Sequence, residues 1–387
     1  MPENLKLENL YSEAKAVMQK ENVRQEKTGV YFYDLCIEDS KIWFSDYDTG
    51  IVFEYDCAGE GRVNYRRDMY FGSYDKRLYT GIFKNTEWLI LADGYKNLIT
   101  FINITQMKCT KVNTESLTKG CVSFQNGDVF CQGNKIFIFA EVGMVLKYNV
   151  KSDVIEGIEY PLGLTKRGQV AKQDERILIP CLDRNYIYQF DLKTETFSQI
   201  TLAEKVEGIE TLCIVEDNYW ITNHTDRIIC WDRKKDQYDF FYYPYDTNDT
   251  IYTRNLEQMR AGKKFSKNFY LNGFIWMVPE YSPYIVYVDI NCGKAQIFEI
   301  EGEEEDEKTL FREGRKNWAK YIASCTDADK VYLLSSKTEK VYEINTRIQT
   351  VKEVKIRISD VKKVIEMTHY KYVPQQQDVE DGRKYLL

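Results

Sequence analysis

The chain has 387 residues, 43% hydrophobic and 14% aromatic, with a formal charge of −7 and ten cysteines. Seven prolines and no low-complexity linker exclude a disordered chain, and an acidic balance, pI near 5.3, excludes a general nucleic-acid binder, which needs a basic surface. No apolar run approaches the roughly 18 residues that span a bilayer.

From the N-terminus, residues 4–20 place Leu7, Leu10, Ala14 and Val17 at helical spacing, so a short amphipathic helix is expected in an extension covering 1–29. Leu5 to Lys20 alternates charge with apolar residues and lacks the continuous core of a secretory leader. The cysteines have no paired spacing and read as free thiols; Cys36, Cys121, Cys213 and Cys325 fall near expected inner strands. Together these features point to a cytoplasmic, reducing location.

Beyond residue 30 an aliphatic or aromatic residue followed by Asp or Asn ends a strand-like run seven times: Tyr55-Asp56, Ile102-Asn103, Tyr148-Asn149, Phe190-Asp191, Trp231-Asp232, Val288-Asp289 and Ile344-Asn345. The spacings are 47, 46, 42, 41, 57 and 56 residues. Several short strands in a repeat of about 40–50 residues are the pattern of a β-propeller blade. The expected fold is therefore all-β: a seven-bladed β-propeller of four-stranded antiparallel blades over 30–357. The blades lie near 30–69, 77–113, 120–160, 166–202, 208–243, 268–300 and 319–357.

Within each unit the expected strands are a to d. A polar turn joins a to b, as in Glu38-Asp39-Ser40, Glu216-Asp217-Asn218 and Asn272-Gly273. Strands b and c are continuous apolar runs, such as Ile136–Phe139 and Tyr284–Tyr287, suited to a sheet covered on both faces. Strand d is more polar, as in Thr196–Ile200, which fits a wet outer edge. Two connections are long, Pro244–Lys267 and Glu301–Ala319, and the second overlaps a run of seven carboxylates from Glu299 to Glu307. The tail 358–387 is a second candidate for closing the ring, beside the N-terminal extension.

The strand-c ends followed by Lys-rich turns (Asp191-Leu192-Lys193-Thr194, Asp232-Arg233-Lys234-Lys235) resemble kelch- and YVTN-type blades. The paired glycines of kelch and the Gly-His pair of WD40 are absent, so the resemblance implies the fold and carries over no functional residue.

Propeller ligands commonly meet the face made by the b–c turns and d–a connections, an analogy at the level of fold. Here the b–c turns carry a recurring acid, often beside an aromatic: Asp46-Tyr47, Asp93 with Tyr95, Glu141, Asp183 and Glu280-Tyr281. The d–a connections carry Arg77, Arg167, Lys263, Lys264 and Arg315, with Trp318 a candidate anchor. His224 sits in the b–c turn of blade five; the other histidine, His369, is in the tail. No metal-ligand spacing, phosphate loop or nucleophile motif appears, so no catalytic residue, metal or cofactor is assigned. The expectation is a non-catalytic binding or scaffold propeller for a protein or peptide partner, with no membrane association. The alternative is a carbohydrate-active enzyme or glycan-binding protein using Asp46, Asp93 and Glu280, or a site for another small molecule.

Overall fold

The computed structural model describes residues 32–46, 52–57, 63–65, 81–85, 87–92, 98–106, 108–118, 128–141, 143–203, 206, 208–225, 227–245, 264–280, 282, 284–301, 320–335, 338 and 340–355. The strands form seven antiparallel sheets, each built from four consecutive strands. Blade 1 is β1 (Phe32–Glu38), β2 (Lys41–Asp46), β3 (Val52–Asp56) and β4 (Val63–Tyr65). Blade 2 is β5 (Gly81–Lys84), β6 (Trp88–Ala92), β7 (Leu98–Asn103) and β8 (Lys108–Asn113), followed by a short helix, α1 (Glu115–Thr118). Blade 3 is β9 (Asp128–Gln132), β10 (Lys135–Phe139), β11 (Met144–Asn149) and β12 (Val154–Glu159). Blade 4 is β13 (Ala171–Gln173), β14 (Arg176–Pro180), β15 (Tyr186–Asp191) and β16 (Thr196–Thr201). Blade 5 is β17 (Ile209–Val215), β18 (Asn218–Asn223), β19 (Arg227–Asp232) and β20 (Gln237–Tyr242). Blade 6 is β21 (Phe265–Leu271), β22 (Phe274–Pro279), β23 (Ile285–Asp289) and β24 (Ala295–Phe298). Blade 7 is β25 (Tyr321–Asp327), β26 (Lys330–Ser335), β27 (Val341–Asn345) and β28 (Thr350–Val354). The chain is thus a seven-bladed β-propeller. The expected N-terminal helix does not join this account: its residues, like the tail 358–387 and most of the two long connections, lie outside the described ones.

The reason for the ring is legible in β2, β6 and their counterparts. Successive side chains of a strand point to opposite faces, and here both faces are apolar. Ile42 and Phe44 pack with Tyr332, Leu334 and Val341 of blade 7, while Trp43 packs with Leu89 and Leu91 of blade 2. Trp88 and Ile90 face Ile136, Ile138 and Tyr148 of blade 3; Phe137 and Phe139 face Ile177, Ile179 and Phe190 of blade 4. Leu178 joins Tyr219, Ile221 and Trp231; Trp220 joins Ile275 and Met277; Trp276 joins Val331, Leu333 and Tyr342. Each of the seven seams has its own dry cluster. Burial of a large apolar side chain contributes about 1.5–3 kcal/mol, so every blade depends on two neighbours. The seam between blades 7 and 1 closes the ring by the same packing, with no strand exchanged among the described residues.

The recurring Asp or Asn at the end of strand c has a local cause. Its side chain accepts the N–H groups two and three residues on: Asp191 from Lys193 (2.9 Å) and Thr194 (2.8 Å), Asp232 from Lys234 and Lys235, Asn345 from Arg347 and Ile348. The fourth residue on then takes a positive φ, as at Asp153, Glu195, Asp236, Gly293 and Gln349. In all seven blades the residue after the Asp or Asn donates its N–H to the a–b turn, for example Cys57 to Ser40 O (3.0 Å) and Leu192 to Glu175 O (2.9 Å). One polar side chain therefore folds the c–d turn while the backbone beside it pins that turn to a–b.

Closure by packing sets a testable energy. Phe44→Ala, in the closing seam, and Phe137→Ala, in an internal one, should each lose about 3–5 kcal/mol in urea unfolding. A loss below about 1 kcal/mol for Phe44→Ala alone would show that the ring does not depend on this seam.

Candidate functional site

The inner strands begin at the face that carries the b–c turns and d–a connections. Four of them, β1, β17, β21 and β25, open with a register shift, between Phe32 and Asp34, Ile209 and Thr211, Phe265 and Lys267, and Tyr321 and Ala323. Such bulges re-aim side chains. Polar groups gather at this mouth of the central channel.

Asp34 accepts Leu35 N–H and, across the seam, Ile82 N–H of blade 2, both at 2.8 Å. Asp34 is partly buried, and burial pushes its carboxyl up to about 6, against the pull of Lys267. The Lys267 ammonium donates to Ser324 O of blade 7 (3.0 Å). Glu210, in the bulge of β17, is wholly buried, accepts Phe265 N–H of blade 6 (3.2 Å) and lies 3.1 Å from His224 Nδ1. His224 Nε2 is 3.0 Å from Leu182 O, in the b–c turn of blade 4. The ring fits only because residue 208 is glycine: at φ +74°, a Cβ there would lie 2.1 Å from His224 Cδ2.

Residues 167–169 bind four blades. Arg167 is almost fully buried and donates to Ala140 O (2.8 Å), Phe139 O (2.6 Å) and Gly168 O (2.9 Å), with Asp128 Oδ2 at 2.9 Å. Gly168 lies flat on blade 5, where a Cβ would meet Glu210 O at 2.3 Å. Gln169 then reaches past blade 5: its amide accepts Asn268 N–H (2.6 Å) and donates to Asn268 O (3.1 Å) on the inner edge of blade 6. A side-chain amide here takes the place of a peptide in a strand pair.

Among the sequence candidates, Glu141, Asp183, His224, Glu280, Arg167 and Lys264 share this face. Glu141 is 3.3 Å from Lys166 Nζ. The Asp183 carboxylate accepts Thr165 Oγ1–H (2.7 Å) and Cys181 S–H (3.0 Å). Desolvation opposes its charge, yet these two donors hold it below the usual carboxylate range; the buried Cys181 thiol is pushed up to about 12. Lys264 is buried, donates to Thr225 O of the preceding b–c turn and lies over the Tyr243 ring. Glu280 contributes its backbone, donating to Lys264 O (2.9 Å) and accepting from Lys320 N–H (2.6 Å). Arg167 and Lys264 thus hold carbonyls of the preceding blade's turn. Asp46 ends β2 on this side. Tyr47, Asp93, Tyr95, Tyr281, Arg77, Lys263, Arg315 and Trp318 lie outside the described residues. Asp34, Asp128, Gln169 and Glu210 were not foreseen; the one signal for them was a polar residue at or just before the start of an inner strand. Lys267, read from the sequence with Lys263 and Lys264 as a basic cluster preceding strand a, lies inside β21. No group of three metal-ligating side chains occurs among the described residues.

No protein-family model matches the chain, and no curated protein matches its sequence. Solved structures share its shape. Virginiamycin B lyase from Staphylococcus aureus superposes with TM-score 0.58 at 9% identity over 81% of this chain and 94% of that one. A catalytically inactive variant of that lyase, with quinupristin, gives 0.56 at 10%, over 80% and 93%. YCF48 bound to D1 peptide gives 0.54 at 9%, over 80% and 91%. At such identities the likeness establishes the propeller fold.

Two measurements probe the mouth. Arg167→Leu should cost about 3–5 kcal/mol by stranding Asp128 and three carbonyls, whereas Lys234→Ala, in an exposed turn, should stay within about 0.5 kcal/mol. Folding raises the Asp34 pKa from 3.8 to about 6, so the protonated carboxyl is favoured in the fold. Its stabilisation is complete below pH 3.8 and is lost as pH rises through 6. Wild-type stability relative to Asp34→Asn should therefore fall between pH 4 and 7, and a pH-independent difference would refute the shift.

Proposed function

We propose that this chain is a non-catalytic, cytoplasmic binding platform, kelch- and YVTN-like in its c–d turns, that holds a protein or peptide partner on the b–c/d–a face. The observation that carries this reading is the use made of the charged groups there. Arg167, Glu210, His224 and Lys264 are engaged by neighbouring blades, which gives a stiff surface, and stiffness lowers the entropy cost of binding. From the same face Leu162 projects fully exposed. Its turn is held by Leu164 N–H on Pro161 O (3.0 Å), Cys181 Sγ on Gly163 O (3.4 Å) and Tyr160 O–H on Ala140 O (2.7 Å). A rigidly presented apolar side chain suits a pocket on a partner. Arg77, Lys263, Arg315, Tyr47 and Trp318, candidates from the sequence, would add polar and aromatic contacts to a partner.

The fold neighbours divide between a lyase and a protein bound to a peptide, so the test is made on this chain. Immobilised wild type and Leu162→Glu are compared for proteins retained from native lysate, with matched thermal melts. The expected result is a partner held by wild type and weakened about 30-fold by Leu162→Glu, the scale of a 2 kcal/mol hot spot. A partner retained equally by both would move the surface elsewhere. Saturable oligosaccharide binding with no protein retained would overturn the reading.

A further inference from the structure

His224 faces hydrogen-bond acceptors on both sides. The Glu210 carboxylate is 3.1 Å from Nδ1 and the Leu182 carbonyl 3.0 Å from Nε2. A neutral imidazole carries one N–H, so it serves one of these oxygens and turns a lone pair on the other. Both contacts are satisfied only when the pair holds an additional proton, as imidazolium and carboxylate or as imidazole and carboxylic acid. Neither acceptor has room to turn away. Glu210 is wholly buried and its second oxygen accepts Phe265 N–H. The Leu182 turn is fixed by Leu182 N–H on Lys166 O (3.0 Å), and the imidazole lies against Gly208.

We propose that the Glu210–His224 pair is a proton-operated latch joining blades 4, 5 and 6 at the b–c/d–a face. With its proton the pair ties the blade 4 turn at Leu182 to the blade 5 turn at His224 and, through Glu210, to the first residue of β21. Loss of the proton sets acceptor against acceptor at one of the two contacts, and the blade 4 and blade 5 turns part. The latch stands apart from the identity of any partner; its effect on binding rests on the platform reading above.

The charges around the ring set the direction. Glu210 favours the imidazolium, and the Lys264 ammonium, held on Thr225 O, opposes it. On the blade 4 side Asp183 is turned onto Thr165 and Cys181, with Arg184 next to it. Beyond Glu210 lies the Tyr245 phenol, on Ser282. The hydrogen bond to Glu210 dominates and raises the His224 pKa above 6.5. The stabilisation is therefore fully present below pH 6.5 and is lost as pH rises through the folded-state value.

The full chain is the material for the test. Its two histidines, His224 and His369, are separated by His369→Gln, leaving one imidazole signal to titrate by NMR from pH 5 to 9. The expected midpoint lies above 6.5. Hydrogen exchange at the Ile209 and His224 amides, bonded to Cys181 O and Gly208 O, is corrected for intrinsic rates; opening should increase at least fivefold between pH 6.5 and 8.5. In His224→Asn, a half-exposed position that leaves the core intact, opening should be the same at both pH values. A midpoint at or below 6.5, or the same pH dependence in His224→Asn, would overturn the latch. If titration and exchange behave as expected while no partner is captured at either pH, the latch holds and the platform reading fails.

Discussion

The structure depends on a single packing constraint: strand b of every blade is apolar on both faces. A sheet with one oily face can end in water, but a sheet with two cannot, so each blade requires a neighbour on either side and the series is satisfied only by closing. The alternation of Ile42 and Phe44 toward blade 7 with Trp43 toward blade 2 expresses that demand within three residues. Polar groups are pushed to the ends of the sheets. There the tight turns must bend the backbone and the channel mouth must seat the starts of seven inner strands.

Much of this was written locally. The Asp or Asn at the end of strand c acts on N–H groups two and three residues away, so its periodic appearance revealed the blades before any long-range contact was known. The a–b turns were equally plain, because Asp39, Asp174, Glu216 and Asn272 occupy positive φ where short polar residues or glycine are tolerated. Glu210 and Gln169 were not legible in the same way. Their partners lie 55 and 99 residues along the chain, and what aims Glu210 is a bulge, which leaves no mark in an apolar–polar pattern. The basic residues of the d–a connections illustrate the same limit. Arg167 and Lys264 read as solvent-facing cations, yet each lies buried on carbonyls of the preceding blade, because a turn whose C=O groups accept side-chain donors sits directly beneath it.

The candidate face is therefore less a set of displayed charges than a polar frame. From Phe139 O through Arg167, Gln169, Glu210 and Lys267 to Ser324 O, hydrogen bonds run from blade 3 to blade 7 around the mouth. Carbonyls supply most of the acceptors, so the frame needs donors, and Arg, Lys and His provide them. What projects from it, Leu162 above all, does so from a fixed base.

The Gln169 amide has a geometric meaning of its own. It joins blades that are second neighbours, and the chord between second neighbours is set by how many blades share the circle. In a ring of six or eight the inner edge of blade 6 would stand at a different distance and angle from residue 169, and the paired contacts to Asn268 N and O would not both form. This one side chain is therefore a ruler for the circumference, counting the blades from inside the molecule.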